Sequence, residues 1–269
     1  MKIRFNYYKD AKKKALTMSY DDGRDFDVRL AHLFDLHGIR GTFHLNGGKL
    51  DRERYLSSEE VATIFARHEV SCHSLTHPFL ENLPAQEVVY EMNEDRKNLE
   101  ELCGYPVFGM SYPFGTYSEK LKAQLDALGI VYSRTVKSTN SFKLPLDFLE
   151  WHPTCHHREN IEEKYDKMKR TGGGRMSLLY IWGHANELDQ DIENNSWEMM
   201  ESFCKHAGND PEVWYATNFE IYEYVTAMRA LRFSVDRMTV YNPSAIDVII
   251  EVDGEPFTVP AGKVTRLTA

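Results

Sequence analysis

Two adjacent carboxylates, Asp21 and Asp22, end an apolar run that begins at Ala15, and Gly23 follows them. In a partly buried site, neighbouring Asp side chains raise each other's pKa, so both ionise only when a cation compensates them. Alone, the pair reads as a solvated turn, since Asp and Gly are ordinary turn residues. A second constellation, His73-Ser-Leu-Thr-His77, shifts that balance. On a continued strand the two Cα atoms would stand about 13 Å apart, whereas one helical turn brings them within about 6 Å, close enough to share an ion. A turn is therefore expected after His73, and Pro78 limits it to one. Two imidazoles and a carboxylate can hold a divalent ion and still leave positions for water and substrate, which is what a hydrolytic centre needs. The third group is His184, at the end of the apolar run 178–183. Beside a metal it becomes a candidate general acid; elsewhere it would be a satisfied core histidine.

These side chains converge only if their strands share one sheet edge. The periodicity predicts a helix through Val28, Leu30, Leu33, Phe34 and Leu36, stopped by Gly38, then a strand over 41–45. Ser57 to Glu60 opens the next helix with a good N-cap and an acidic first turn. Residues 69–74 read as a strand carrying His73, and a long helix with Val88, Val89, Met92 and Leu99 ends near Gly104. Strands over 107–110, 130–136, 176–182 and 213–216 alternate with helices over 118–128, 162–170 and 197–207, and 112–115 forms a turn. Such alternation implies right-handed crossovers and a parallel sheet, and about six to eight units favour closure into a barrel with its ligands at the carboxyl ends of the strands. From Arg232 the pattern becomes short β-rich runs broken by Asn242-Pro243, Asp253-Gly254 and Pro260-Ala-Gly262, with Asp-Gly a strong hairpin signal. The expected organisation is a barrel over 1–231 and a small antiparallel β appendage over 232–269. Thr171-Gly-Gly-Gly-Arg175 lacks the ending of a phosphate loop and precedes a strand, so a plain loop is expected.

The 269 residues are 42% hydrophobic, ample for one large core. A net charge of −9 with no basic block argues against nucleic acid or an anionic membrane as the partner, and leaves a small neutral ligand. No apolar run approaches membrane-spanning length and the N-terminal residues lack a secretory pattern, so a cytoplasmic location is expected. Cys72, Cys103, Cys155 and Cys204 are scattered, which fits reduced thiols and excludes a zinc ribbon.

The ordered set Met18-Ser-Tyr-Asp-Asp-Gly23, His73-Ser-Leu-Thr-His77, Tyr112-Pro-Phe-Gly115 and Leu179-Tyr-Ile-Trp-Gly-His184 resembles the polysaccharide deacetylase family of carbohydrate esterases, over roughly residues 13 to 230. The resemblance implies a distorted (β/α) barrel with about seven parallel strands and one divalent ion, zinc by preference, with cobalt, nickel, iron or manganese as alternatives. Carried over by position, it implies Asp22, His73 and His77 as metal ligands, Asp21 as base, His184 as acid and the backbone N–H of Phe114 as oxyanion donor. The reaction it implies is metal-assisted attack of water on an acetyl carbonyl, with His184 protonating the departing amine or hydroxyl.

The sequence also departs from the family's pattern. Ser111 stands where the family places an arginine that orients the base. Arg134, in the second half of the neighbouring predicted strand, is expected to supply that guanidinium if Tyr132, Arg134 and Val136 face inward; otherwise it snorkels outward. The family's acid-Trp motif is missing after Val136, and Glu150-Trp151 is either its displaced equivalent or part of the next strand. His152, His156 and His157 surround Cys155 and could suggest a second metal, but with no matching acidic partner they read as a polar rim, with His156 or His157 still able to touch substrate. Three functions follow: a deacetylase of an acetylated sugar or short oligosaccharide, a hydrolase of another amide such as a cyclic imide or ureide, or an inactive glycan-binding relic. Retention of Asp21, Asp22, His73, His77 and His184 together weighs against the relic.

Overall fold

The computed structural model describes residues 1–172 and 174–267; Gly173 of the glycine-rich loop and residues 268–269 of the expected appendage lie outside the described residues. After a short strand β1 (Ile3–Arg4), the chain enters β2 (Lys14–Asp21), buried along almost its whole length. Six more strands continue a parallel sheet: β3 (Gly41–Leu45), β4 (Glu69–Cys72), β5 (Gly109–Ser111), β6 (Tyr132–Arg134), β7 (Cys155–His156) and β8 (Ser177–Gly183). Their order is β6-β5-β4-β3-β2-β8-β7, and β9 (Val213–Tyr215) pairs with the start of β2. The sheet curls into a distorted barrel. The segment after β6 closes it: Trp151 bridges to Arg134 of β6, and Cys155 and His156 pair with Ile181 and Trp182 of β8.

Helices α1 (Phe26–Leu36), α2 (Ser58–Ile64), α3 (Ala85–Cys103), α4 (Glu119–Ala127), α5 (Ile161–Arg170), α6 (Trp197–Ala207) and α7 (Asn218–Arg229) accompany the strands. Their starts are chemically marked. Ser57 and Thr217 form capping boxes with Glu60 and Glu220, and Ser118 and Ser196 cap α4 and α6, each supplying a partner for an orphan N–H. The expected strands over 69–74 and 130–136 are shorter than predicted, ending at Cys72 and Arg134, because the chain turns there to deliver side chains. The two-residue β7 and the helix α7 were not anticipated.

Alternation along β2 separates two environments. Leu16, Met18 and Tyr20 join the core beneath the helices with Phe34, Phe43, Leu179 and Ile181. Thr17, Ser19 and Asp21 face the barrel interior, which is polar and internally hydrogen-bonded. Thr17 Oγ1 donates to Asn218 Oδ1 at 2.9 Å, and Asn218 Nδ2 donates to the Tyr180 hydroxyl at 2.6 Å. Buried Glu69 accepts from Tyr132 OH at 2.6 Å, Thr42 Oγ1 at 2.9 Å and the Phe219 N–H at 2.9 Å, tying α7 to the sheet. Satisfying buried polar groups in this way is what makes a polar interior tolerable.

The C-terminal strands β10 (Arg232–Phe233), β11 (Thr239–Tyr241), β12 (Val248–Val252), β13 (Glu255–Val259) and β14 (Val264–Arg266) form antiparallel sheets. Asp253 and Gly254, at φ 50° and 103°, make the expected hairpin turn between β12 and β13. The N-terminal β1 completes the β12–β13 sheet, and Val240, Val248, Ile250 and Leu267 pack with Tyr8, Trp214 and Tyr224 in a second apolar cluster. Among the described residues no helix is long and apolar enough to cross a membrane.

Gly109 pairs with Tyr132 across β5 and β6, and a Cβ at Gly109 would come within 2.0 Å of the Tyr132 ring. Gly109→Ala is expected to displace that ring from Glu69 and cost about 2–3 kcal/mol in urea unfolding, as overpacking plus a lost buried hydrogen bond. A cost below about 0.5 kcal/mol would contradict this packing.

Candidate metal centre

All the chemistry-bearing groups lie at the carboxyl edge of the sheet. Asp21 ends β2, His73 follows β4, Ser111 ends β5, Arg134 ends β6, His156 ends β7 and His184 follows β8. The backbone there is unusual: Asp22, Ser74, His77 and Phe114 all have positive φ, at 82°, 61°, 67° and 59°. Non-glycine residues in this region cost about 1 kcal/mol or more each, and such strain clusters at functional sites when the surroundings enforce it.

The enforcement is visible around His73. Asn46 Nδ2 donates to the carbonyls of His73 and Ser74 at 2.6 and 2.8 Å, and Asp95 on α3 accepts from the His73 and Gly47 N–H groups at 3.1 and 2.6 Å. Glu91 takes the Thr76 hydroxyl at 2.6 Å and its N–H at 2.9 Å, and His77 N–H donates to Ser74 Oγ at 3.1 Å. The His73-to-His77 segment is therefore a loop with left-handed residues at Ser74 and His77, not the helical turn expected. It still brings the two rings to a centroid separation of 4.7 Å.

His73 Nε2 and His77 Nε2 each lie 3.7 Å from Asp22 Oδ1. Ligand atoms around a tetrahedral ion with bonds of about 2.0–2.1 Å are about 3.3 Å apart, so the three fit one ion with a small contraction. The tautomer also fits. Ser111 Oγ donates to Asp21 Oδ1 at 3.0 Å and must therefore accept from His73 Nδ1 at 2.7 Å, while the Ser111 carbonyl, 2.9 Å from Nδ1, shares that proton. The Nε2 lone pair is thus left facing Asp22, the arrangement metal-ligating histidines adopt. Burial pushes the His73 imidazole down to about 4 and lowers His77 as well, which keeps both rings neutral and able to ligate.

The structure places the Arg134 guanidinium on Asp21 from the next strand. Arg134 is 0% exposed. Its Nε donates to Ser19 Oγ at 3.1 Å, Nη1 to the Thr135 carbonyl at 3.0 Å and Nη2 to Asp21 Oδ2, and the guanidinium lies 4.5 Å from the centre of the Trp182 ring. Burial alone would raise the Asp21 carboxyl, but Arg134 and then His73 and His44 outweigh it and hold the group well below the usual carboxylate range. Ser111 and Arg134 together do what one arginine at the Ser111 position would do.

His184 Nδ1 donates to Glu187 Oε1 at 3.0 Å. Burial opposes its charge, yet the Glu187 bond and the charges of Asp21 and Asp22 raise the imidazole above its ordinary value. Glu187 was not singled out from the sequence. Its position three residues after His184, on one helical turn, puts it on the same face. Phe114 packs its ring on His77 at 4.4 Å and stacks on Phe79 at 3.8 Å and 12°. Glu150 binds Tyr117 OH and Lys122 at 2.8 and 3.3 Å, and Trp151 fills the core against Tyr132 and Tyr180. His152 bonds Thr135 Oγ1 at 2.6 Å. The polar-rim reading of His156 and His157 needs correcting in one respect: they do have an acidic partner, Glu187.

A family model described as polysaccharide deacetylase matches residues 8–133. The matched stretch contains Asp21, Asp22, His73, His77 and Phe114. Over these residues the chain is similar to the polysaccharide deacetylase family. Arg134 and His184 lie beyond the match. The peptidoglycan-N-acetylmuramic acid deacetylase PdaC of Bacillus subtilis is 25% identical over 118 residues, covering 43% of this chain and 25% of that protein. Chitin deacetylase 1 of Cryptococcus neoformans is 26% identical over 143 residues, covering 52% and 30%. The aligned part is thus less than a third of each relative's length. A polysaccharide deacetylase structure from Mycobacterium smegmatis superposes with a TM-score of 0.61 at 16% identity over 82% of this chain and 93% of that one, and so shares the fold.

Removing Arg134 leaves Asp21 as an uncompensated buried charge, which typically costs about 3–5 kcal/mol. Arg134→Met should destabilise the chain by that order in urea unfolding, and Asp21→Asn in the same chain should restore part of the loss. No rescue by the second change would show that the pair does not act as a unit.

Proposed function

We propose that the chain is a metal-dependent hydrolase that removes acetyl groups from a small acetylated sugar or short oligosaccharide. The observation that carries this reading is the His73, His77 and Asp22 donor set beside an Asp21 carboxylate held ionised in a buried pair. The donor set is that of a divalent transition ion, zinc first. When bound, such an ion polarises a carbonyl and lowers the pKa of water in its shell towards about 7.

The chain's own residues supply the proton transfers. Asp21 stays ionised across the working pH range and takes a proton from the attacking water, with Arg134 and Ser111 fixing its two oxygens. His184, raised by Glu187, carries the proton needed by the departing amine or alcohol. Glu187 acts through His184 and is a positioning residue. The left-handed φ of Phe114 re-aims the backbone at the β5 turn, where its N–H would serve as the oxyanion donor.

Phe79 and Phe114 support a sugar over a cyclic imide or ureide. They are 44% and 50% exposed and stacked on each other at the rim of the donor set. Exposed aromatic rings beside a polar site present an apolar platform with adjacent hydrogen-bonding groups, which matches the mixed faces of a pyranose.

Acetate release from a panel of N- and O-acetylated sugars should depend on one ion that Asp22→Ala, His73→Ala and His77→Ala each remove. Asp21→Asn and His184→Gln should keep the ion and lower kcat by about 100-fold or more. Stoichiometric retention of the ion in all three ligand variants, or parent activity in either proton-transfer variant, would sink the assignment.

A pH profile tests Glu187 separately. Activity should fall at alkaline pH as His184 loses its proton, and because Glu187 raises His184, Glu187→Gln should move that limb to lower pH. A limb left in place would remove Glu187 from this role.

A further inference from the structure

We propose that His156, His157 and Glu187 form a second site for a divalent transition ion, one carboxylate away from His184. The chemistry is that of the first site, two imidazoles and one carboxylate, assembled on β7 and on the helical turn after β8. Glu187 Oε2 lies 3.1 Å from His156 Nε2 and 3.4 Å from His157 Nε2. A tetrahedral zinc with bonds of about 2.0–2.1 Å separates its ligand atoms by about 3.3 Å. The two carboxylate-to-imidazole edges of the second set match that separation more closely than the 3.7 Å edges of the first. The His156 and His157 rings stand 4.4 Å apart at 55°, against 4.7 Å and 69° for His73 and His77.

Hydrogen bonding leaves two atoms of this cluster, Glu187 Oε2 and His157 Nδ1, without a partner. Glu187 Oε2 is buried with no well-aligned hydrogen bond of its own, although His156 Nε2 and His157 Nε2 are its ion-pair neighbours, while Oε1 is committed to His184. An anionic oxygen buried beside two ring nitrogens needs a positive partner, which either a protonated imidazole or an ion shared by the three supplies.

Both imidazoles are held in place. His157 is fully buried and stacks on Tyr20 at 5.7 Å and 22°, and its Nδ1 abuts Gly183, where a Cβ would come to 2.1 Å. Glycine is therefore required there to let the ring lie flat on β8. His156 meets the Trp182 ring edge-on at 4.6 Å. His157 also lines a cavity of about 410 Å³ with Asn160, Glu162 and Asn194. His157 Nε2 lies 2.8 Å from Asn195 Oδ1, so an ion taking that nitrogen displaces its proton, and binding should weaken as pH falls.

This site does not depend on the chain being a deacetylase, and the test separates the two. The chelator-stripped protein is dialysed against micromolar zinc alone and its metal counted. Two equivalents are expected per wild-type chain, one in Asp22→Ala, one in His156→Gln or Glu187→Gln, and none in Asp22→Ala/His156→Gln. Asp22→Ala loaded with cobalt should in addition show visible absorption from imidazole-carboxylate coordination, a readout that leaves residues 156, 157 and 187 untouched and so stands even if His156→Gln fails to fold. A single wild-type equivalent abolished by Asp22→Ala, two equivalents undiminished in both His156→Gln and Glu187→Gln, or no cobalt band in Asp22→Ala would overturn the second site.

Discussion

A carboxylate as deeply buried as Asp21 stays ionised only if its surroundings provide charge and hydrogen bonds, and the architecture of the site follows from meeting that demand. Arg134 supplies the charge and Ser111 the second hydrogen bond. Arg134 is itself buried, so Ser19, the Thr135 carbonyl and the face of Trp182 must receive the rest of its guanidinium. The requirement propagates into the barrel interior, where His44 bonds Ser19 at 2.9 Å and Asn218, Tyr180, Thr42 and Glu69 close the network. A polar barrel interior is expensive for stability and rigid in geometry, and rigidity is what the proposed base beside the proposed metal needs.

Ser111 illustrates how a short side chain can help to fix a buried carboxylate. Its hydroxyl is too short to bring charge to Asp21, but it joins Asp21 Oδ1 to His73 Nδ1 and so couples the proposed base to a proposed ligand. The charge enters from the neighbouring strand, because β5 and β6 pair in register with Ser111 opposite Arg134. Two adjacent strand ends thus divide a task that one side chain could perform.

Much of this was legible in the sequence because the relevant signals are local. Strand ends with Asp, His or Arg inside apolar runs, Ser and Thr caps with Glu three residues on, and Asp253-Gly254 each carry their meaning within a few residues. Helix α7 was equally legible: Thr217-Asn-Phe-Glu220 spells a capping box, and Ile221, Tyr224, Val225 and Met228 follow at helical spacing to pack with the C-terminal strands. Asp95 was readable too: it occupies the buried stripe of Val88, Met92 and Leu99 on α3, and an acid in such a stripe is anomalous until the His73 and Gly47 N–H groups appear against it. Glu187 as partner of His156 and His157 was not readable, since about thirty residues and a helix separate them and only the pairing of β7 with β8 brings them together.

Crystals grown with zinc, measured on either side of the zinc absorption edge, test the central claim most directly. The account predicts an anomalous peak bonded to Asp22 Oδ1, His73 Nε2 and His77 Nε2, with Asp21 outside the coordination sphere and still paired with Arg134. A peak ligated by Asp21, or none between His73 and His77, would contradict it.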